Sequence, residues 1–202
     1  YFGAIPSRVE AFMLDLEIYL LRLREKILNV GSLADKQLGT ILSESNNARL
    51  AAENAEFSVV KILNLLDERV KTRIKFLSPE GEKEFFQKKC KQYKDYFKNR
   101  APKESIYEIY NEFLREFEKS HPGKLDLAEH DTNGASGQYD VYDLAALLMI
   151  QYRVTRKKED EEFGQIFIDE AQDFGVTPYY ALRRVLPKCY FTIMGDVSQN
   201  IN

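Results

Sequence analysis

Tryptophan is absent from this chain and cysteine is scarce, which excludes some classes of protein. With 2 cysteines among 202 residues, the chain is not one of the small secreted domains that disulfides hold together. We expect Cys90 and Cys189 to be reduced core residues of a cytoplasmic protein. No apolar run reaches the roughly 20 residues that a membrane-spanning helix needs. No signal peptide is present either, so we expect no membrane contact.

A strong positive charge is also missing. The chain carries 29 lysines and arginines against 32 aspartates and glutamates, a net charge of −3, so no overall positive field indicates binding to nucleic acid. A local patch is available between Lys88 and Arg100, where lysines alternate with aromatic residues that could stack on bases. The alternative, which nearby glutamates favour, is a helix with an aromatic core face and a solvated lysine face.

Apolar residues recur at helical spacing through the first part of the chain. Ser7-Arg8-Val9-Glu10 matches a capping box, and the spacing after it predicts a first helix over about 8–30. Further helices are predicted within 32–76, from Pro79 onward and again before the first histidine. No strand is predicted here. Residues 1–120 should therefore form an all-helical segment whose helices stabilise one another by packing.

Turn signals then mark a change in the pattern. His121-Pro122-Gly123, Asn133-Gly134 and Ser136-Gly137 predict a boundary loop over 121–138. Beyond this loop, the order of helix, strand, helix and strand predicts a piece of a parallel α/β sheet over 139–202. Two strands alone do not form a stable sheet, so the remaining strands would have to come from elsewhere.

The first of these strands is Ile166-Phe167-Ile168, whose three apolar residues predict burial on both faces. Two carboxylates, Asp169 and Glu170, follow where the strand should leave the sheet. An unpaired charge at the end of a buried strand is costly, so a divalent metal is the expected partner. Phosphoryl transfer uses such an arrangement, with an aspartate holding Mg²⁺ beside the nucleotide phosphates and a neighbouring group orienting the attacking water.

The segment from Cys189 to Met194 predicts a second buried strand, and Gly195-Asp196-Val197-Ser198-Gln199 follows it. Because ligands of open α/β sheets bind at the carboxyl ends of the strands, both strand ends should contribute to one crevice. The residues expected there are Asp169, Glu170, Asp196 and Gln199. Taken alone, each segment has an ordinary alternative, which is an Asp-Glu helix cap for the first and a Gly-Asp turn for the second.

The two segments together resemble a known family. Asp169-Glu170-Ala171-Gln172-Asp173 resembles motif II, the Walker B element, of the superfamily 1 helicases of the UvrD/Rep type. The segment from Gly195 to Ile201 resembles their motif III. The resemblance implies an ATP hydrolase with ATP and Mg²⁺ as cofactors, in which Asp169 binds Mg²⁺ and Glu170 activates the attacking water.

The resemblance also implies roles for the other motif residues. Gln199 would sense the γ-phosphate and take part in catalysis, and Gln172 would link the nucleotide state to the strand-binding side. Asp173 and Asp196 would support cofactor binding less directly. After Gln-x-Ile, strand-separating members usually carry a tyrosine that stacks on a base, a contact worth roughly 1–3 kcal/mol. This chain has Asn202 there, which argues against duplex unwinding but leaves ATP hydrolysis plausible.

An ATPase of this type needs a G-x-x-x-x-G-K-[ST] phosphate loop, and this sequence has none. Gly123-Lys124 is followed by Leu125, and Gly134-Ala135-Ser136-Gly137 follows no predicted strand. We therefore expect the chain to be a fragment, with its phosphate loop upstream and the arginines that complete the site downstream. The isolated fragment should be inactive.

A finer resemblance concerns the segment before motif II. Tyr142-Asp143-Leu144-Ala145-Ala146-Leu147-Leu148, the charged loop after it and motif II look more like the HelD branch, also described as helicase-IV-like. Members of that branch act on bacterial RNA polymerase. The resemblance therefore implies that the helical segment is an inserted arm that enters the nucleic-acid channel of the polymerase.

The predicted fold is mixed α and α/β. A mainly helical insert is followed by part of a RecA-like parallel α/β nucleotide-binding domain, with 139–202 as the C-terminal part of the first such domain. Two functions stay open. The first is a fragment of an ATP-dependent DNA helicase-like motor ATPase that remodels a nucleic-acid or RNA polymerase complex. The second is a non-catalytic helical module that binds RNA polymerase or DNA. One feature distinguishes them. The residues from Lys88 to Lys103 could form a continuous basic stripe that faces a groove, or a dispersed face in contact with solvent.

Overall fold

The computed structural model describes residues 6–123, 139–156 and 163–196. Most of the predicted boundary loop and of the charged connector before motif II lies outside these residues. The described residues form two compact units. The helical unit contains the described parts of 21–103 and 153–158. The strand unit contains the described parts of 1–20, 104–152 and 159–202. The predicted arm over 1–120 is thus divided between the two units, and its limits stay a prediction.

The helical unit combines helices with one short hairpin. Helix α1 begins in the strand unit and supplies its residues from Leu21 onward to this unit. In chain order the elements of the helical unit are α1 (Pro6–Leu28), β1 (Leu33–Asp35), β2 (Gly39–Leu42), α2 (Glu44–Glu53), α3 (Val59–Leu77) and α4 (Lys83–Gln92). Ser58 caps α3, because its hydroxyl accepts the N–H of Lys61 at 3.1 Å.

The core of this unit is centred on α3, whose apolar residues repeat every three or four positions and so share one face. These residues are Val59, Ile62, Leu63, Leu66, Val70 and Ile74, and all are buried. Leu50 of α2, Ile41 of β2 and Phe97 belong to the same apolar cluster. Helical spacing had predicted a helix in this part of the chain.

The prediction that the first 120 residues contain no strand is wrong. β1 and β2 pair in antiparallel register, with Leu33 opposite Leu42 and Asp35 opposite Gly39. The carboxylate of Asp35 accepts the N–H groups of Gln37 and Leu38 at 2.8 and 3.0 Å, and Gly39 has a φ of +70°. Such local bonding favours a turn over a helix. Leu33 and Leu42 therefore reach the core from the two strands of a hairpin.

The helix predicted from Pro79 onward is also shorter than expected. Gly81 has a φ of +84°, and α4 begins only at Lys83 and ends at Gln92. Asp95 follows with a φ of +54°, so the chain turns here instead of continuing as a helix. The lysines and aromatic residues between Lys88 and Arg100 therefore do not lie on one helix.

The strand unit begins with the first part of α1. Its later elements are α5 (Ile106–Ser120), α6 (Val141–Ile150), β3 (Gln165–Ile168), α7 (Val176–Val185) and β4 (Tyr190–Ile193). A π-helical turn, Gln151–Thr155, follows α6, and its residues from Arg153 onward belong to the helical unit. β3 and β4 pair in parallel, from Gln165 opposite Tyr190 to Ile168 opposite Ile193. The parallel pairing joined by a helix is as predicted.

Aromatic residues and one buried carboxylate join the helices of the strand unit. Phe12 of α1 makes edge-to-face contacts with Phe113 and Phe117 of α5, at centroid distances of 5.1 and 5.3 Å. The hydroxyl of Tyr110 donates to Asp143 at 2.5 Å, which links α5 to α6. Asp143 also completes a capping box with Asp140 at the start of α6.

The predictions that β3 is buried on both faces and that β4 is a buried strand are wrong for the described residues. Phe167 is 65% exposed, Tyr190 78% and Ile193 55%. The reason is that this sheet has two strands in the part of the chain that is described. Burial of both faces requires helices on each side of a wider sheet.

Two smaller expectations can also be compared with the structure. Cys90 is half-buried and Cys189 is buried, and neither forms a disulfide. Of the helices described, none is both long and apolar enough to cross a membrane.

Candidate functional site

The predicted motif II residues follow β3 directly and lie beside the end of β4. The N–H of Met194 donates to the carbonyl of Ile168 at 2.8 Å, and the N–H of Ala171 donates to the carbonyl of Met194 at 2.9 Å. These bonds continue the strand pairing past the ends of β3 and β4. As a result, the turn Ala171–Asp173 lies next to Gly195 and Asp196, which begin the predicted motif III.

The side chain of Gln172 joins the two motifs. Its Nε2 donates to Oε2 of Glu170 at 2.6 Å, and its Oε1 accepts the backbone N–H of Asp196 at 2.9 Å. The two partners fix the orientation of the amide, because a carboxylate can only accept and an N–H can only donate. One half-buried side chain therefore holds the Glu170 carboxylate and the Asp196 backbone at the same time.

Gly195 allows this bridge to form. A Cβ at this position would lie 2.8 Å from Oε1 of Gln172 and 3.4 Å from the Gln172 backbone nitrogen. Real Cβ contacts are not found as close as the first of these distances. A side chain at this position would displace the Gln172 amide, so glycine here leaves room for the bridge.

Glu170 has an unusual backbone conformation. Its φ of 50° and ψ of 41° lie in the left-handed region, which costs a residue with a Cβ roughly 1–2 kcal/mol. Its N–H is bound by Oδ1 of Asp169 at 2.9 Å, and its carbonyl accepts the N–H of Asp173 at 3.0 Å. Conformations of this kind persist where neighbouring contacts hold them, and they are concentrated at functional sites.

A residue that sequence reasoning missed also contacts this turn. The hydroxyl of Tyr179, on α7, donates to the carbonyl of Ala171 at 2.8 Å. Burial raises the pKa of Tyr179, and the nearby Asp173 carboxylate raises it further, so the hydroxyl is protonated at neutral pH. The only signal in the sequence was a Tyr-Tyr pair on the helix after motif II, since a buried tyrosine hydroxyl needs a partner.

A comparison with protein-family models identifies the chain. The model of the UvrD/REP helicase N-terminal domain matches residues 18–202. The chain belongs to this family. The predicted UvrD/Rep-type resemblance is thereby confirmed, and membership implies an ATP-dependent helicase-like function with ATP hydrolysis in the full-length protein. No curated protein and no solved structure gives a significant match.

UvrD/REP helicases use ATP with Mg²⁺, and the carboxylates here are chemically suited to that ion. Mg²⁺ beside a nucleotide is held through one or two carboxylates together with phosphates and water. Asp169 and Glu170 are exposed at the end of β3, so their oxygens can reach such an ion. In the described ranges no three potential ligands converge on one point, but an ion shared with phosphates does not require a closed cage of protein ligands.

The UvrD/REP motif residues are only partly brought together by the described contacts. Glu170, Gln172 and Asp196 are joined by hydrogen bonds, and Asp173 is bonded to Glu170 through its backbone. Asp169 contacts the same turn through the N–H of Glu170. Gln199, the predicted γ-phosphate sensor, lies outside the described residues.

The lysines of the helical unit do not form a continuous basic stripe. Lys89 points inward and binds both oxygens of Asp35, at 2.8 and 2.7 Å. Lys94 and Lys98 instead line a cleft of about 560 Å³ together with Lys71. The same cleft is lined by Asp67, Glu68 and Asp95, so its charge is mixed.

Proposed function

We propose that Asp169, Glu170 and Gln172 form the water-activating side of an ATP hydrolysis site in the full-length protein. The observation that carries this proposal is the Gln172 amide, which contacts Glu170 at 2.6 Å and the Asp196 N–H at 2.9 Å. One side chain thus connects the expected catalytic carboxylate to the strand end that leads to Gln199. A motor ATPase requires such a connection, because loss of the γ-phosphate must change contacts elsewhere in the protein.

Each residue has a distinct role in this proposal. Asp169 holds Mg²⁺, which when bound neutralises charge on the transferred phosphoryl group. Glu170 orients the attacking water, and its hydrogen bond from Gln172 restricts the rotation of the carboxylate. Asp173 and Asp196 support ATP binding. Gln199 senses the γ-phosphate.

The fold supports a place for this site in a RecA-like domain. β3 and β4 are parallel, α7 connects them, and the motif residues follow their carboxyl ends, which is where open α/β sheets bind ligands. The exposed faces of Phe167 and Ile193 are those that further strands and helices of such a domain would cover. We infer that 139–202 is the C-terminal part of this domain and that 121–138 is the loop leading into it.

Substitution of Glu170 tests the catalytic proposal. Glu170→Gln in the full-length protein removes the negative charge but keeps the size of the side chain. We expect ATP turnover to fall by a factor of about 100 or more, with binding of a fluorescent ATP analogue retained. Glu104→Gln, a change at an exposed glutamate of the same unit, should leave turnover unaltered. Turnover of Glu170→Gln at the wild-type rate would contradict the assignment.

We also propose that the isolated 202-residue chain does not hydrolyse ATP, because its sequence contains no phosphate loop. A sensitive phosphate-release assay on the purified chain checks this. Turnover that Glu170→Gln abolishes would show that the chain hydrolyses ATP by itself.

A second proposal concerns the partner of the helical unit. The HelD-like resemblance suggests that the helical segment over 1–120, which contains most of this unit, is an arm that binds RNA polymerase. The burial of Lys89 against Asp35 and the mixed charge of the cleft support a protein partner over a continuous track for a nucleic-acid backbone. In this alternative the helical unit is an interaction module, and its binding does not depend on ATP hydrolysis.

A pull-down of purified bacterial RNA polymerase distinguishes these possibilities. The bait is the full-length protein, compared with a variant in which a short glycine-serine linker replaces 31–102. This deletion spares α5, whose Tyr110 binds Asp143 in the strand unit. Binding that requires 31–102 supports the polymerase proposal. Absent binding, with ATPase activity stimulated by single-stranded DNA, supports an ordinary UvrD/Rep-type helicase.

A further inference from the structure

A tyrosine on α7 contacts the backbone between two motif II side chains. The Tyr179 hydroxyl donates to the carbonyl of Ala171 at 2.8 Å and is partly buried. Ala171 lies between Glu170 and Gln172, so its carbonyl belongs to the peptide that enters Gln172. A change in this contact would act on the residue that bridges motifs II and III.

The backbone on the other side of Ala171 is held as well. Its N–H belongs to the peptide that leaves Glu170, and it donates to the carbonyl of Met194 at 2.9 Å. The Ala171 carbonyl also accepts the N–H of Phe174 at 3.3 Å, a longer bond than that from Tyr179. Both peptides that flank Ala171 are therefore fixed from outside the turn, one by the end of β4 and one by α7.

This restraint matters because Glu170 is in the left-handed region, with a φ of 50°. A residue with a Cβ leaves that region when its neighbours allow it. Relaxation at Glu170 would rotate its carboxylate away from Nε2 of Gln172, a contact of 2.6 Å. The carboxylate direction thus depends on how firmly the Ala171 peptides are held.

We propose that Tyr179 is a positioning residue for ATP hydrolysis, whose hydroxyl holds the Ala171 peptide and thereby fixes Glu170 and Gln172. The proposal rests on the proposed role of Glu170 in activating water. Tyr179 itself touches neither ATP nor water in this account. Its loss should reduce the rate of the chemical step and leave the affinity for ATP unchanged.

The test compares Tyr179→Phe with Tyr180→Phe in the full-length protein. Tyr179→Phe removes only the hydroxyl, so the ring packing is retained. We expect kcat for ATP hydrolysis to fall about tenfold, because small displacements of catalytic groups reduce rates strongly. KM for ATP should stay within about twofold of the wild-type value.

Tyr180→Phe is the matched control. The Tyr180 hydroxyl is bound by Arg184 at 3.2 Å, on the same helix but without a contact to the motif II turn. The Tyr180→Phe variant should therefore have the kcat and KM of the wild type. Thermal melting of both variants separates positioning from folding. A merely structural role would lower Tm but would not change a kcat that is measured at a temperature well below Tm. A wild-type kcat, or a rise in KM equal to the fall in kcat, would overturn the proposal.

Glu170→Gln in the same assay distinguishes the two levels of the argument. If Glu170→Gln abolishes turnover and Tyr179→Phe has no effect, the positioning role is wrong and the proposed function stands. If Glu170→Gln turns over normally, the proposed function is wrong and the positioning role with it. A double variant, Tyr179→Phe with Gln172→Ala, should lose less than the product of the single losses, because both changes release the same turn.

Discussion

The side-chain oxygen of Gln172 accepts the backbone N–H of Asp196 at 2.9 Å. The same amide donates to the carboxylate of Glu170 at 2.6 Å. A side chain of one motif thus binds the backbone of the other, 24 residues further along the chain. A displacement of one strand end relative to the other would therefore change one of the two hydrogen bonds of the Gln172 amide.

Loss of the Gln172 amide should uncouple these two strand ends. In Gln172→Ala, Glu170 loses its donor and the Asp196 N–H loses its acceptor, so we expect kcat for ATP hydrolysis to fall about tenfold or more. Gln172→Glu should be at least as damaging, because a carboxylate cannot donate to Glu170 and repels it. Steady-state kinetics of the full-length protein measure both, and Gln92→Ala, at an exposed residue of α4, is the control. Equal kcat for all three variants would refute the coupling.

Addition of a methyl group at Gly195 should displace the same side chain. The Cβ of Gly195→Ala would lie 2.8 Å from Oε1 of Gln172, so the amide would shift and lose hydrogen bonds worth about 0.5–1.5 kcal/mol each. We expect a lower Tm and reduced turnover. Gly164→Ala, where a Cβ meets nothing within 4 Å, should change neither. Because the clash is with a side chain, Gly195→Ala combined with Gln172→Ala should have nearly the Tm of Gln172→Ala alone, and a much lower Tm would count against this explanation.

The Tyr110 hydroxyl should contribute measurably to the stability of the strand unit. It donates to the buried Asp143 at 2.5 Å, and burial raises the pKa of Tyr110 far above its ordinary value, with the Asp143 charge adding to the shift. Tyr110→Phe leaves a buried carboxylate with one donor fewer, so we expect a loss of about 1–3 kcal/mol in the free energy of unfolding. Urea denaturation measures it. Tyr107→Phe keeps the ring that stacks on Tyr139 and should be nearly neutral.

The buried pair of Lys89 and Asp35 should make the helical unit sensitive to acid. The hydrogen bond from Lys89 is the main cause that lowers the pKa of Asp35, and the Tyr93 hydroxyl, 2.7 Å away, adds to it. Because the folded-state pKa lies below the ordinary value of 3.8, this contribution to stability is present above that value. It is lost as the pH falls through the lower, folded-state pKa.

Asp35→Asn tests this pH dependence. Urea midpoints should show the variant less stable than the wild type at pH 7, and the difference should shrink as the pH falls below about 4. Asp95→Asn is the control, because Asp95 pairs with Lys98 at the surface and asparagine tolerates its φ of +54°. A difference that stays constant between pH 7 and pH 3 would show that the charge of Asp35 is not the cause.

Periodicity was sufficient for the long helices. The first helix was predicted over about 8–30 and runs from Pro6 to Leu28, and the helix of Ile109 and Phe113 ends at Ser120, as expected before His121. Apolar residues three and four positions apart define one face without reference to the rest of the chain. A local capping box, such as that of Ser105 with Glu108, marks where a helix begins.

The hairpin of the helical unit was missed although part of its turn is local, since Asp35 binds the N–H groups of Gln37 and Leu38; its other contacts are distant in sequence. Leu33, Ile41 and Leu42 are apolar residues compatible with either a helix or a strand. Asp35 is held by Lys89, which lies 54 residues away, and no pattern within 32–42 shows that partner. The burial of β3 and β4 was overestimated for a related reason, since it depends on elements that cover the sheet and not on the strand residues alone.

The sequence by itself determined which chemical groups follow the two strands, and in which order: carboxylates after β3, and a glycine, a carboxylate and an amide after β4. It also determined the family, because those residue types at that spacing are specific. Only the tertiary structure decided that Gln172 joins Glu170 to Asp196, that a side chain at Gly195 would displace Gln172 and that Tyr179 holds the Ala171 carbonyl. The physical reason is that hydrogen bonds depend on distances of a few ångströms, and these are set by the return of the chain through α7 and β4.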